Sequence, residues 1–378
     1  TGAASERYTK LHYTYQTFNA NAAGTGASPA KSYLQSFRLL DSPRVIVRQS
    51  AGVKADWRVT RNSVLSVGAQ INHFESDRIA TEFVLNAGTN AVPTPATGTP
   101  FSFGDDFTIG ATGRGTVTMG GAASVHTVKD GASGNIRYRY DNGTWRLRFG
   151  LDRSHDKGGI RDTAEGNFRQ MAISMRVPMR VAFKDISGAA WPGTMQVFDN
   201  NNRELGIYDV SNYQLTTTNS TPRATLDVFE SGSVDLRREL KVFSSPVAVE
   251  LGAFERKQMR DIERKNVNWS YAGVNGDLSP APFLSPVYKG QYHYYGLRDF
   301  PQISPNIAWE AFQKNPNLFT KTTGQLRSEE LFRITNSFDF EERVSAGYEQ
   351  AEFSLFKYRL KVLTGVRYEK TANTGTGP

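Results

Sequence analysis

Four arginines stand at alternate positions on the two sides of a short segment. Arg137 and Arg139 precede residues 141–143, whose sequence is Asp-Asn-Gly, and Arg146 and Arg148 follow it. Because Asn and Gly accept the positive φ angles of tight hairpin turns, the segment predicts a hairpin with the four guanidinium groups on one face. Such a face could steer an anionic ligand, or neighbouring carboxylates could neutralise it, and the sequence favours neutralisation.

The segment 263–333 concentrates aromatic side chains that also carry a polar atom. Such side chains can stack on sugars or flat chelates and hydrogen-bond through the same group, so they are candidate ligand-binding residues. Alternatively, they pack the segment into a small core of its own or lie at the level of lipid headgroups. The candidates are Trp269, Tyr288, Tyr292, Tyr294, Tyr295 and Trp309.

Other residues that could carry out chemistry lack suitable partners. The Gly-rich segment 110–121 has neither the Gly-Lys-Ser/Thr sequence nor the following helix of a phosphate-binding loop. The chain has no Cys, and its 5 His lack the paired spacing of zinc ligands. Lys and Arg exceed Asp and Glu by 45 to 37, a mild excess that identifies no anionic partner. We therefore predict no catalytic centre, no cofactor or metal, and no nucleic-acid partner.

The arginine hairpin is one of four with the same design. In each, apolar residues alternate with polar or charged ones on both sides of a very short connection, around Arg61, Asn142, Ser245 and Lys357. Between residues 145 and 151, for example, every second residue is apolar, and Arg or Gly stands between them. This period of two predicts β-strands with one apolar and one polar face, long enough to match the ~9–11 residues of a tilted membrane strand.

The apolar face of such a hairpin can meet either of two media. In a soluble β-sandwich it packs on a second sheet, whereas in a transmembrane barrel it contacts lipid and the polar face lines a wet lumen. Hydrophobic residues make up only 38% of the chain, below the usual ~45–50%, but aromatic residues reach 12%. That aromatic content predicts a folded chain, and no apolar run approaches the ~18–20 residues of a membrane helix.

The lengths of the connections favour the barrel. The short turns alternate with long connections rich in Gly, Asn, Thr and Pro, at residues 19–43, 78–120, 156–225 and 263–333. Bacterial outer-membrane barrels have short periplasmic turns, long outer loops and aromatic girdles at the strand ends. Within the third connection, residues 181–185 and 195–199 are strand-like and are expected to extend the barrel wall. We therefore predict an all-β fold, an antiparallel transmembrane β-barrel with long extracellular loops, in which the four arginines face the lumen.

The number of strands indicates that the barrel continues beyond this sequence. The pattern accounts for about nine strands, whereas complete single-chain bacterial barrels have even counts. An open sheet would leave two unpaired edges, which lipid does not tolerate. Thr1 begins no signal peptide, and Pro378 follows directly on a strand pattern. We therefore expect residues 1–378 to be an internal part of a larger barrel domain.

Three segments resemble barrel strands of TonB-dependent outer-membrane receptors. They are residues 245–261 (SPVAVELGAFERKQMRD), residues 342–348 (ERVSAGY) and residues 359–371 (RLKVLTGVRYEKT). The third segment is the most specific, and residues 56–68 match more weakly. The plug domain, the energy-coupling box and the terminal aromatic residue of that family are not found in this sequence.

The resemblance implies a receptor in a Gram-negative outer membrane. Such a receptor captures a scarce solute, such as a siderophore, cobalamin or a glycan, at its outer loops and imports it with energy from the inner membrane. The implied partners are outer-membrane lipid and lipopolysaccharide, a small-molecule or oligosaccharide ligand, and the TonB complex acting through the plug region. Enzymatic activity is not expected. Two other classes stay open: a passive porin-type barrel and a soluble glycan-binding β-sandwich.

Overall fold

The computed structural model describes residues 2–120, 124–188, 191–242, 245–286, 301–356 and 359–377. Strands occupy 64% of the chain and the sheets are antiparallel, which confirms the all-β prediction. The strands are β1 (Gly2–Asn19), β2 (Tyr33–Thr60), β3 (Ser63–Arg78), β4 (Thr81–Asn86), β5 (Ser102–Phe103), β6 (Thr108–Ile109), β7 (Thr116–Met119), β8 (Val125–Asp141), β9 (Trp145–Ile160), β10 (Gln170–Met175), β11 (Met179–Ile186), β12 (Pro192–Asp199), β13 (Tyr213–Ser220), β14 (Arg223–Val242), β15 (Ser245–Arg264), β16 (Val267–Tyr271), β17 (Phe319–Thr320), β18 (Phe338–Leu355) and β19 (Leu360–Thr376). The helices are α1 (Pro305–Lys314) and α2 (Thr323–Asn336).

Nine long strands, each of at least 16 residues, form one antiparallel sheet that we call the ribbon. Their order is β1-β2-β3-β8-β9-β14-β15-β18-β19, so neighbours in the sequence are neighbours in the sheet. This agrees with the strand number expected from the period-two pattern. Within the described residues, β1 pairs only with β2 and β19 only with β18, so the ribbon has two open edges.

The short turns follow from local residue chemistry. Gly143 adopts a φ of 85°, which suits a residue without a side chain. Next to it, Asn142 Oδ1 accepts hydrogen bonds from the backbone N–H groups of Thr144 and Trp145. At the third predicted turn, β14 ends at Val242 and Ser245 is already the first residue of β15. Residues 243–244 and Lys357, at the fourth predicted turn, lie outside the described residues.

The long connections contain more regular structure than the sequence indicated. Strands β4, β7, β10, β13, β16 and β17 extend the ribbon's sheet beyond the long strands. β4 continues β3 in the same register along β2, because Arg44 pairs with Arg78 and Asp41 pairs with Thr81. The first connection ends earlier than predicted, since β2 already begins at Tyr33.

A second sheet, in the order β12-β11-β6-β5, lies in these same connections. Residues 181–185 and 195–199 therefore form strands as expected, in β11 and β12, but they belong to this separate sheet rather than to the extended wall. We call the extended part of the wall, the second sheet and α1 together the head. The head contains the hydrophobic core, and its fully buried side chains include Phe37, Leu85, Val181, Phe183, Val197 and Leu215.

Both helices have defined N-termini. Ser304 Oγ accepts a hydrogen bond from the Ile307 N–H at the start of α1. Thr322 and Gln325 form a reciprocal capping box at the start of α2. No helix of the described residues is long and apolar enough to cross a membrane.

Candidate functional site: the two faces of the ribbon

The strand register sorts the side chains of the ribbon onto two chemically different faces. We call the first the apolar face. One row of directly opposed residues crosses it from β2 to β19, because side chains at paired positions project to the same side of a sheet. That row is Trp57, Leu65, Tyr138, Phe149, Val234, Ala253, Gly347 and Tyr368.

The apolar face is exposed along the ribbon and buried in the head. In β2, Val53 and Trp57 are 68% and 64% exposed, whereas Phe37 and Leu39 are 0% and 4% exposed. All four occupy odd-numbered positions of one strand, so they lie on the same face. At the head, Phe37 packs against Trp191, with ring centroids 6.0 Å apart. The same face is therefore covered by protein at one end, while at the other end the described residues leave it bare.

The opposite face, which we call the polar face, carries the four predicted arginines. Arg139 and Arg148 are directly opposed across β8 and β9, a like-charge arrangement that needs compensation. Arg148 donates to Glu250 at 2.7 Å and also lies 3.6 Å from Asp235. Arg137 pairs with Asp152 at 2.6 Å and Arg146 with Asp141 at 2.9 Å. The salt bridges found among the described residues include none to Arg139.

Three of the four arginines are thus neutralised by carboxylates, the role that the sequence favoured over ligand steering. Their placement on one face is as predicted. The structure reveals carboxylate partners from β14 and β15 that the hairpin sequence alone could not identify, because those strands lie far along the chain. The available sequence signal was that Asp235 and Glu250 alternate with apolar residues in these two strands.

Glu250 is the centre of the polar network. It is only 6% exposed, and Arg148, Arg237 and the Tyr348 hydroxyl surround its carboxylate. Tyr348 Oη lies 2.9 Å from Glu250 Oε1 and 2.6 Å from Asp235 Oδ1, so its one proton serves either carboxylate. A buried carboxylate is tolerated only when charged or hydrogen-bonding partners compensate its lost hydration. Arg148, Arg237 and Tyr348 supply that compensation for Glu250.

A row of charges borders the apolar face on the side towards the head. Arg153, Glu230, Lys257 and Arg343 are directly opposed on four successive strands of the ribbon. No motif in the sequence marks these four residues. Each occupies the next position on the apolar face of its own strand, but only the register between the strands shows that the four residues form a single row. They line a depression of about 570 Å³ on the apolar face.

The two described tryptophans among the ligand-binding candidates lie in the core of the head. Trp269 is 9% exposed and packs edge-to-face on Phe168, with ring centroids 5.4 Å apart. Trp309 packs on the same ring at 5.1 Å. Both rings therefore lie in a core that the segment 263–333 shares with the connection 156–225, to which Phe168 belongs. Tyr288, Tyr292, Tyr294 and Tyr295 lie outside the described residues.

Several titratable groups of the head have shifted pKa values, and Asp277 and Tyr213 are two of them. The hydrogen bond from Arg176, at 2.8 Å, holds the pKa of the Asp277 carboxyl below its ordinary value. Burial raises the pKa of the Tyr213 hydroxyl, which donates to the Ile207 carbonyl at 2.7 Å. Neither arrangement offers a catalytic pair. In the part of the chain that the structure describes, no group of three or more His, Asp or Glu could hold a metal ion.

Comparisons with protein-family models, with curated proteins and with solved structures found no match to this chain. The chemistry of the two faces is therefore the basis for interpreting its function.

Proposed function

We propose that this chain forms part of the wall of a transmembrane β-barrel in a Gram-negative outer membrane, in a receptor of the TonB-dependent type. One observation carries the proposal. Outside the head, the described residues leave the apolar face of the ribbon largely exposed, and it lies back to back with a polar face on which Arg137, Arg146 and Arg148 are paired with carboxylates. Lipid on the first face and water on the second would satisfy both.

The apolar band of β9 ends in an aromatic residue on the side of the short turn. In β9 the apolar-face residues run from Trp145 to Leu151, and Arg153 follows. At about 3.3 Å per residue this band is roughly 20 Å along the strand, or about 15 Å along the membrane normal at a strand tilt of about 40°. The lipid-facing band of outer-membrane barrels is about 25 Å tall and is flanked by aromatic residues, so the charge of Arg153 would lie inside the height of that band. Trp145 lies at the end of the band near the short turn, where an interfacial aromatic residue is expected.

The head shows how this chain covers an apolar face with protein, as a soluble sandwich would. There the same face is covered by a second sheet and by aromatic side chains, and its residues are fully buried. A soluble protein would need a similar cover over the nine-stranded ribbon, because contiguous exposed apolar areas of that size are rare on soluble proteins. In the proposed barrel, the head would lie above the lipid headgroups.

In the proposed barrel, the unpaired edges of β1 and β19 need hydrogen-bonding partners. In lipid, each unpaired backbone N–H or C=O group raises the free energy by roughly several kcal/mol, as it does on transfer from water to hydrocarbon. Closing the barrel therefore requires further strands that pair with both edges.

The transport role rests on the resemblance of three strands to receptors of this type, and the paired charges of the polar face are compatible with a wet lumen. The receptor would take up a siderophore, cobalamin, a glycan or a similar solute. Its other partners would be outer-membrane lipid and lipopolysaccharide, and the inner-membrane TonB complex acting through a plug domain.

Single-cysteine labelling tests the membrane assignment, since the chain has no native Cys. Val67→Cys places a thiol on the apolar face, and Ser66→Cys places one on the polar face of the same strand. In the protein in bilayers, we expect the thiol at position 67 to react with a lipid-soluble maleimide only and the thiol at position 66 to react with a water-soluble one. A second pair, Val366→Cys and Arg367→Cys, repeats the comparison on β19. Reaction of the thiols at positions 67 and 366 with the water-soluble reagent would contradict the proposal.

Conductance separates a gated receptor from a passive porin. A porin-type barrel in a planar bilayer gives steady open-channel current, whereas a receptor whose lumen is closed by a plug does not. Steady current from the full-length protein would favour the porin alternative.

A further inference from the structure

The dipeptide Asn-Gly occurs twice in the sequence, at Asn142-Gly143 and at Asn275-Gly276. Asparagine is a chemically labile residue, and a glycine after it leaves the next backbone nitrogen unhindered because glycine has no Cβ. In both pairs the asparagine and the glycine are exposed, and a Cβ at either glycine would meet nothing within 4 Å. Exposure and crowding therefore do not distinguish the two pairs.

Hydrogen bonds hold the Asn142 side chain in its turn. Its Oδ1 accepts from the backbone N–H of Thr144 at 3.0 Å and from that of Trp145 at 2.7 Å. The N–H of Gly143 donates to Asp141 Oδ1 at 3.0 Å. The side-chain amide of this asparagine and the backbone nitrogen that follows it are therefore both engaged.

The Asn275 side chain lacks such contacts. Among the described residues, no hydrogen bond involves its amide group or the N–H of Gly276. The two residues form the centre of a turn, with φ angles of 54° and 82°. One backbone hydrogen bond, from the Asp277 N–H to the Val274 carbonyl at 3.1 Å, closes the turn. Opening that bond is enough to let the Gly276 nitrogen approach the Asn275 side chain.

We propose that Asn275 is a site of spontaneous deamidation and that hydrogen bonds protect Asn142 from the same reaction. The Gly276 nitrogen loses its proton and attacks Asn275 Cγ, so that a new N–Cγ bond forms, the Cγ–Nδ2 bond breaks and ammonia leaves. Water then opens the resulting cyclic imide at one of its two carbonyls. The products are aspartate and isoaspartate, in which the main chain runs through Cβ and Cγ. The reaction consumes only water and does not depend on whether the ribbon lies in lipid.

The modification changes a segment that Asp277 links to the rest of the head. The Asp277 carboxylate accepts from Arg176 at 2.8 Å. The turn is compact, because a Cβ on Gly273 would collide with the Asp277 carbonyl oxygen. Isoaspartate lengthens the main chain of this turn by one atom, so the hydrogen bond between Val274 and Asp277 cannot keep its geometry. We therefore expect the contact between Asp277 and Arg176 to loosen in the modified protein.

Peptide mass spectrometry of the full chain tests the site. The purified protein is incubated in detergent at neutral to mildly alkaline pH, sampled over time and digested. We expect the amide at position 275 to convert to an acid at least about tenfold faster than the amide at position 142, the ratio that one or two ordinary hydrogen bonds would produce. Enzymatic methylation of isoaspartate identifies that product. In denaturant the two rates should converge, because both turns are open.

Two variants test the reason for the difference. Asp141→Ala removes the acceptor of the Gly143 N–H and should accelerate conversion at position 142. Asp152→Ala is the matched control, because it removes a carboxylate of the same hairpin that does not contact the turn, and it should leave that rate unchanged. Asn275→Gln should abolish the product at position 275, because the longer side chain forms the cyclic imide far more slowly. Hydrogen exchange of residues 277–279 should accelerate with incubation in the unsubstituted protein and stay constant in Asn275→Gln.

Equal rates at positions 142 and 275 in the folded protein, or a faster rate at position 142, would overturn the assignment. This comparison needs no variant, so it gives a result even if Asp141→Ala fails to fold. An unchanged rate at position 142 in folded Asp141→Ala would overturn the protection by that hydrogen bond. Unchanged hydrogen exchange of residues 277–279 in converted protein would overturn the loosening of the Asp277 contact.

Discussion

Tyr348 lies directly across the β15–β18 ladder from Gly252, and its ring occupies the space that a side chain at position 252 would fill. A Cβ on Gly252 would collide with the ring and would approach Asp235 Oδ1 to 2.7 Å. The glycine thus lets the tyrosine lie flat on the neighbouring strand, where its hydroxyl reaches Asp235 and Glu250. Gly252, because it lacks a side chain, therefore allows the Tyr348 hydroxyl to donate to the carboxylates of the polar face.

Gly252→Ala should displace the Tyr348 ring and remove a hydrogen bond from the buried Glu250. We expect a loss of about 1–3 kcal/mol in the free energy of unfolding, measured by denaturant titration in detergent. Gly347→Ala is the matched control, because its Cβ would meet only the Gly252 carbonyl oxygen, at 3.8 Å. Equal losses for the two variants would show that the ring position does not matter.

Arg148→Gln should destabilise the ribbon more than Arg139→Gln does. Arg148 binds Glu250, which is only 6% exposed, whereas no salt bridge to Arg139 occurs among the described residues. Removing one cation from a buried carboxylate that keeps Arg237 and Tyr348 should cost about 1–3 kcal/mol. Arg139→Gln should stay within about 0.5 kcal/mol, as for ordinary surface substitutions. The measurement is the same denaturant titration, and a reversed order would contradict the network described for Glu250.

Glu349 is an acidic residue on the apolar face, directly opposite Leu251 and Val366. If that face contacts lipid, Glu349→Leu should stabilise the protein in bilayers by up to about 2 kcal/mol. Glu352→Leu, on the polar face, should destabilise it because Glu352 pairs with Arg237 and Lys361. Unfolding in lipid vesicles measures both changes. No gain from Glu349→Leu would indicate that water or protein covers this position.

The head should depend on Phe168, whose ring lies at the centre of its aromatic cluster. Phe168 is fully buried and contacts Trp269, Trp309, Phe312 and Phe319 at centroid distances of 5.0–6.0 Å. Phe168→Ala should cost about 3–5 kcal/mol through the cavity it leaves. Hydrogen exchange of β13 and β16 should accelerate, while exchange of β8 and β9 in the ribbon should not. Trp57→Ala, which removes an exposed ring, should leave exchange in the head unchanged.

The salt bridge between Asp277 and Arg176 should make one surface segment of the head sensitive to acid. The folded-state pKa of Asp277 lies below its ordinary value of 3.8, so the stabilisation is present above that value and is lost as the pH falls through the lower, folded-state pKa. Hydrogen exchange of residues 274–279 should therefore increase at acidic pH. Arg176→Gln should raise the Asp277 pKa and move this change to higher pH, while Lys184→Gln, a cation elsewhere in the head, should not.

The amino-acid sequence by itself determined the strands and their two faces. Alternation with a period of two requires no distant partner, and Asn142-Gly143 specifies its turn through local backbone preferences. The nine long strands and the common face of Arg137 and Arg148 could therefore be predicted.

Only the tertiary structure decided what covers each face. Phe37 and Trp57 belong to the same apolar alternation in β2, yet one is buried and the other is exposed. The pairing of Arg148 with Glu250 and the row from Arg153 to Arg343 likewise depend on the register between strands that are distant in the sequence. The periodicity of a strand predicts whether a face is apolar or charged. The residues that contact that face lie far along the chain, and a local sequence pattern does not specify them.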